Sequence, residues 1–220
     1  MSYSRANPSP RYRELVAQYR QMHREGERYL NIPPQDTFPG ASLPPQAARV
    51  KRLIRATGAH SILDYGSGKG RQYELRNITL PDGEEIESIV DYWGVDYVHC
   101  YDPSYDPFSR LPQARFDGVI ATDVLEHCPE PDVPWIVEEM FGFADRFVFA
   151  NVVCYPARKR LPNGENAHCT IKAAEWWVEL LKRATARHPA LTWEFVIGWL
   201  EGDAQHAQPI ETTIRSGATT

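Results

Sequence analysis

The segment Ser61–Gly70, SILDYGSGKG, constrains the fold more than any other part of the chain. An apolar pair, Ile62 and Leu63, leads through Asp64 and Tyr65 into glycines at every second position, Gly66, Gly68 and Gly70. Glycine turns through positive φ without steric cost and lets another group touch the main chain. A short buried strand that ends in such a turn and runs into a helix is a nucleotide-binding arrangement, because a helix start presents free N–H groups. The spacing here is D-x-G-x-G-x-G. It differs from the G-x-G-x-x-G of dinucleotide sites, and it lacks the GK[ST] ending of a phosphate loop because Gly70 follows Lys69. A helix is expected to begin near Lys69.

The rest of the chain alternates. VDYVHCYDP reads as a second strand stopped by Pro103, FDGVIATDVLEH holds a third at 118–122, DRFVFANVVCY is apolar throughout and so predicts a central fourth, and LTWEFVIGWL is a late strand. Between them lie segments of helical period. PQAARVKRLIRATGA carries Val50, Leu53 and Ile54 with Gly58 as its stop, and LPDGEEIESIVDYWG shows helical spacing after a turn at Asp82-Gly83. DVPWIVEEMFGFA has Asp132 as N-cap and Pro134 in its first turn, and IKAAEWWVELLKRATARH is ended by Pro189. Strands alternating with helices predict an α/β domain with a mostly parallel sheet, here assigned to residues 46–201. Residues 1–45 form an N-terminal helical extension, with Leu15, Tyr19, Met22 and Tyr29 near one stripe and a proline-rich loop behind it. Such an addition either covers a cleft as a lid or adds packing. Residues 202–220 are expected to be a flexible tail.

The net charge of -5 gives no guaranteed basic face, so nucleic acid is not the expected partner. Arg158, Lys159 and Arg160 make a local basic run, which either steers an anionic acceptor or stands as a solvated surface. No apolar run approaches the ~20 residues that span a bilayer, and the N-terminus lacks the apolar centre of a signal peptide. The cysteines, Cys100, Cys128, Cys154 and Cys169, form no close-spaced framework. Free thiols, a cytoplasmic location and no membrane partner are the expectation.

ILDYGSGKG followed in order by CYDP and FDGVIATDVLEH resembles the class I S-adenosylmethionine-dependent methyltransferases, over residues 48–155. The resemblance implies a Rossmann-like, doubly wound sheet with S-adenosyl-L-methionine as cofactor. It implies that Asp64, Tyr65, Gly66, Gly68 and Gly70 form the loop under the methionine moiety, that Asp102 (with Asp96 its rival) holds the ribose, and that Asp123, Val124 and Leu125 lie beside the cofactor. One departure stands out. Only PSYDPFSRLPQAR and Phe116 separate Asp102 from Asp117, too few residues for a helix plus a strand. Either that fold's third strand is trimmed away or the acid lies elsewhere. With the strand gone, Phe108 or Leu111 is expected to supply the adenine wall.

Methyl transfer from a sulfonium needs a positioned acceptor and a group to take its proton. His127, ending VLEH, and His168, in the polar loop LPNGENAHC, are the candidates, since histidine titrates near neutral pH. Glu126 is expected to brace its loop or touch the methionine amino group. The neighbours His99-Cys100, His127-Cys128 and His168-Cys169 would chelate poorly, and no metal is expected. Trp176, Trp177, Leu180 and Leu181 read as core, while Tyr12, Tyr19, Phe38 and Tyr65 are secondary pocket candidates. The expected activity is methyl transfer to oxygen or nitrogen of a small-molecule or sugar-like acceptor. The alternatives are a non-catalytic S-adenosylmethionine-binding regulatory subunit, and a protein or nucleic-acid methyltransferase. For the amino-methylating DNA enzymes, TDVL stands where D/N-P-P-Y/F is required. A nicotinamide-dependent oxidoreductase would call for the absent G-x-G-x-x-G.

Overall fold

The alternation of the sequence becomes a six-stranded sheet with helices on both faces, beside a separate two-stranded hairpin. The structure is a computed structural model and describes residues 3–202 and 208–216. In chain order the elements are α1 (Pro10–Glu25), α2 (Ala47–Thr57), β1 (Ser61–Tyr65), β2 (Ile78–Thr79), β3 (Glu85–Ile86), α3 (Ile89–Trp93), β4 (Tyr97–Tyr101), β5 (Phe116–Thr122), α4 (Val133–Phe143), β6 (Ala144–Val153), α5 (Ala174–Thr185), β7 (Thr192–Glu201) and β8 (Gln208–Arg215). Six strands form one sheet in the order β4-β1-β5-β6-β7-β8, parallel except for β8.

Side-chain alternation divides the core into two layers. From β6, Phe147 and Phe149 pack with Val50, Ile54 and Trp93 of α2 and α3. Val148, Ala150 and Val152 pack on the other face with Val137, Met140, Trp177 and Leu181 of α4 and α5. A strand covered on both sides is apolar along nearly its whole length, which is why DRFVFANVV carries a single polar residue, Asn151, after Arg146. The chain leaves β1 for β4 on one side and returns to β5 on the other. The carboxyl ends of β1 and β5 therefore flank the point where strand order reverses, the usual place for a ligand crevice in an open α/β sheet. The architecture is compatible with a Rossmann-like fold.

Four local readings change. No helix follows the glycine loop. Residues Arg71–Tyr73 make one 3-10 turn and the chain passes into the β2–β3 hairpin. Gln72 and Tyr73 turn inward to Asp64, at 2.9 and 2.8 Å, and this pins the segment before a helix can run. The first helix ends at Gly26, whose φ is 89°, so Tyr29 leaves the apolar stripe and is 43% exposed. Asp132 sits at the N-cap of α4 without capping it; its carboxylate accepts instead from the amide and hydroxyl of Ser9 and from Trp135 Nε1. Among the described residues no strand pairs with the outer side of β4, which is the sheet edge, in keeping with the shorter-sheet alternative of the sequence reading. The expected flexible tail is partly structured: Gln208–Arg215 pairs antiparallel with β7, placing Ile210, Thr212 and Ile214 on one face, while 203–207 and 217–220 lie outside the described residues. Among the described residues no helix is long and apolar enough to cross a membrane.

Candidate functional site

A cavity of about 490 Å³ opens at the carboxyl ends of β1 and β5 and is roofed by α1 and the loop around Phe38. That size suits a small organic ligand. Its floor is the glycine loop. The amides of Gly66 and Ser67 both donate to the carbonyl of Tyr101 at the end of β4, at 2.7 and 3.1 Å, which folds the loop back across the strand ends. Gly66 takes φ 88°, and a Cβ there would stand 2.5 Å from Val124 Cγ2. The glycine is thus demanded by the close approach of Val124. At Gly68 (φ 59°) the neighbour is Phe38, itself at φ 57°, and at Gly70 (φ 67°) it is Phe108 and Cys100.

Of the residues expected at the cofactor, Tyr65, Gly66, Gly68, Asp102, Asp123 and Val124 line the cavity; Asp64, Gly70 and Leu125 do not. Asp64 is buried beneath the loop, where it accepts from Gln72 and Tyr73, and burial pushes its carboxyl up to about 6. It braces the floor from below. Leu125 is wholly in the core. Asp96 also lies away from the cavity, while Asp102 follows β4 directly. Asp102 Oδ1 accepts from the amide and hydroxyl of Ser104, at 2.8 and 2.5 Å, and Oδ2 accepts from the amide of Gly68 at 3.0 Å. Burial raises its carboxyl above the ordinary range. The left-handed Asp123 (φ 53°) is held by Asn151. Phe108 and Leu111, the expected adenine wall, do not line the cavity: Phe108 is drawn off onto Gly70 and Tyr105, and Leu111 packs on the core.

Both histidine candidates face the cavity and touch each other, their ring centroids 4.6 Å apart and nearly perpendicular. His168 Nδ1 lies 2.6 Å from the carbonyl of Tyr155, and His127 Nδ1 lies 3.0 Å from that of Ala167. A carbonyl can only accept, so each Nδ1 carries the proton and each Nε2 keeps its lone pair. Burial lowers both rings, His127 to about 3, with the neighbouring His168 adding to the effect. Glu126 braces the loop as expected: Oε1 accepts from Val153 N–H at 3.0 Å, and burial raises the carboxyl far above its usual range. Tyr12, Tyr19, Phe38 and Tyr65 all line the cavity.

The roof supplies residues that the sequence reading did not single out. His23 lies between the rings of Phe38 and Tyr105, at 4.6 and 4.9 Å, and burial lowers it to about 4. Its Nδ1 is buried without a protein partner, as is Gln72 Oε1 on the floor. His23 is four residues beyond Tyr19 on the same helix face, and extending that stripe by one turn finds it. The roof is fastened along its length. Lys69 Nζ donates to the carbonyls of His23 and Pro34, Arg20 bonds the carbonyl of Pro103 at 3.0 Å, and Arg5 joins Glu139 and the Tyr65 hydroxyl. Comparison of the chain with protein-family models, with curated proteins and with solved structures found no significant match.

Proposed function

We propose that the protein is an S-adenosyl-L-methionine-dependent methyltransferase acting on oxygen or nitrogen of a small-molecule or sugar-like acceptor. One observation carries the reading. The glycine loop, the acid after β4 and two imidazoles with bare Nε2 atoms converge in a single cavity at the point where strand order reverses.

The polar groups present fit such a nucleoside. Asp102 Oδ2 accepts from the Gly68 amide and has a second lone pair that can take a hydroxyl. His23 Nδ1 and Gln72 Oε1 are buried polar atoms that the protein leaves unbonded, a state that costs free energy unless a ligand bonds them. Tyr65, Gly66 and Val124 complete the floor, with Asp123 beside them. When bound, the cofactor supplies a methyl carbon already activated by its sulfonium sulfur. The chain is left with positioning and proton removal. His168 is the better base: its Nδ1–H is fixed on the Tyr155 carbonyl, and the charge of Asp123 favours the imidazolium that forms. His127, held near 3, is too weakly basic and serves as a wall that orients its neighbour.

Titration calorimetry with S-adenosylmethionine and S-adenosylhomocysteine tests the reading, followed by transfer of radiolabelled methyl from the cofactor into fractionated small-molecule extract. Saturable heat that Asp102→Asn weakens, together with labelled product, is the expected result. No heat with either nucleoside sinks it.

A further inference from the structure

Each carboxylate on the cavity wall, Asp102 and Asp123, finds a hydrogen-bond donor within the protein. The cations on the same wall do not. Lys159 and Arg158 line the cavity, and among the described residues neither side chain makes an ion pair or a hydrogen bond. The Lys159 ammonium rests over the ring of Phe38, 4.9 Å from its centroid, and burial lowers its pKa. The acid whose charge acts on it, Glu27, makes no ion pair with it and accepts instead from the amides of Tyr29 and Leu30. A half-buried cation with no direct ion pair is costly, and an anion delivered into the cavity reduces that cost.

The position of Lys159 is set by the segment that carries the base. Asn166 accepts from the amides of Ala157 and His168 and donates to the carbonyl of Ala157, and the Lys159 carbonyl accepts from the amide of Ala167 at 3.2 Å. The two arms of this loop are thereby locked together, so the backbone positions that carry Lys159 and His168 belong to one unit. We infer that Lys159, with Arg158 at the mouth, anchors a carboxylate or phosphate group of the methyl acceptor while the acceptor's neutral hydroxyl or amine faces His168. The acceptor is therefore bifunctional, with a fixed negative end and a nucleophilic end. The inference deepens the methyltransferase reading and rests on it for the word acceptor. The anion site itself is tested without turnover.

The probes are 4-hydroxybenzoate, phenyl phosphate and the uncharged 4-hydroxybenzamide, titrated calorimetrically into the full chain with and without S-adenosylhomocysteine. At least one acid is expected to bind about tenfold or more tighter than the amide, the usual scale of a charge-assisted pair. Which acid binds tells carboxylate from phosphate. Lys159→Gln is expected to bring the acid down to the level of the amide, Lys159→Arg to retain the preference, and both to melt within a few degrees of the wild type. Equal binding of acid and amide overturns the inference, as does failure of both acids to bind at ~10 mM. Loss of S-adenosylhomocysteine affinity in Lys159→Gln with acid affinity unchanged also overturns it, since Lys159 would then serve the nucleoside's own carboxylate. Acid binding without any nucleoside binding leaves the anion site standing and removes the methyltransferase reading alone.

Discussion

The hydroxyl of Tyr19 lies 2.7 Å from His127 Nδ1 and 2.7 Å from the carbonyl of Ala167, so one phenol of the roof helix joins both sides of the cavity wall. Since His127 Nδ1 carries a proton shared with that carbonyl, Tyr19 donates to Ala167 and accepts from His127. Tyr19→Phe removes both bonds of the hydroxyl and leaves the His127–Ala167 bond in place. The expected loss is about 1 kcal/mol, or ~2–4 °C in Tm, read by calorimetric or circular-dichroism melting. An unchanged Tm would mean that the roof is not held here.

Gly66→Ala tests whether the floor is shaped by Val124. The substitution meets both a positive φ of 88° and a contact at 2.5 Å. A loss of about 2–4 kcal/mol in urea unfolding is expected. Val124→Ala in the same chain should restore the part due to crowding and not the part due to φ, giving a favourable coupling in a double-mutant cycle. Strict additivity of the two changes refutes the contact.

His23 makes a pH prediction. Its folded value is about 4, below the ordinary 6.5, because burial disfavours the charged ring and Lys69 repels it. Between those values the unfolded chain binds a proton that the folded chain does not, so stability falls as pH drops through that window and is unaffected above it. Asp64, raised to about 6, acts in the opposite sense over 3.8 to 6. That contribution is common to the wild type and His23→Phe and cancels in their difference. Urea midpoints at pH 4.5 and 7.5 should show a smaller acid loss in His23→Phe. Parallel losses would place a charged ring in the folded state.

His168→Gln keeps an amide near the Tyr155 carbonyl and removes the lone pair of Nε2. If the methyl-transfer reading holds, kcat falls by about 100-fold or more, the acid limb of the pH–rate profile disappears and S-adenosylhomocysteine affinity is unchanged. His127→Gln should cost less and leave the acid limb in place. The reverse order in steady-state kinetics would exchange the two roles.

Much of the scaffold was readable from the chain. The inner parallel strands β1, β5, β6 and β7 are largely buried runs whose apolar character depends on two-sided cover, a property that needs no knowledge of neighbours. What failed depended on partners distant in sequence. A helix after Gly70 was the natural extrapolation, and only Asp64, with its claim on Gln72 and Tyr73, shows why the chain turns away. Asp132 has the composition of a cap, yet Ser9 takes its carboxylate. The final strand did leave a trace in the alternation of Ile210, Thr212 and Ile214, but the eight-residue stretch sits among glycine, proline and polar residues and is stable only beside β7. At the site, the glycine loop, Asp102 and both histidines were legible by type and order. The adenine wall was not, because Phe108 is captured by the packing space over Gly70.

The order of manufacture sets a condition on the roof. Ser9 and Arg5 are held by Asp132 and Glu139, 123 and 134 positions later, and Tyr19 waits for His127 and Ala167, 108 and 148 positions later. Helix α1 therefore lacks all of these partners until β5 has been made, and lacks the last of them until β6 is complete. A nascent chain cut short before residue 167 has made the glycine loop and the ends of β1 and β5 but lacks the final anchor of their cover, so the chamber closes only after residues far apart in the order of synthesis have met.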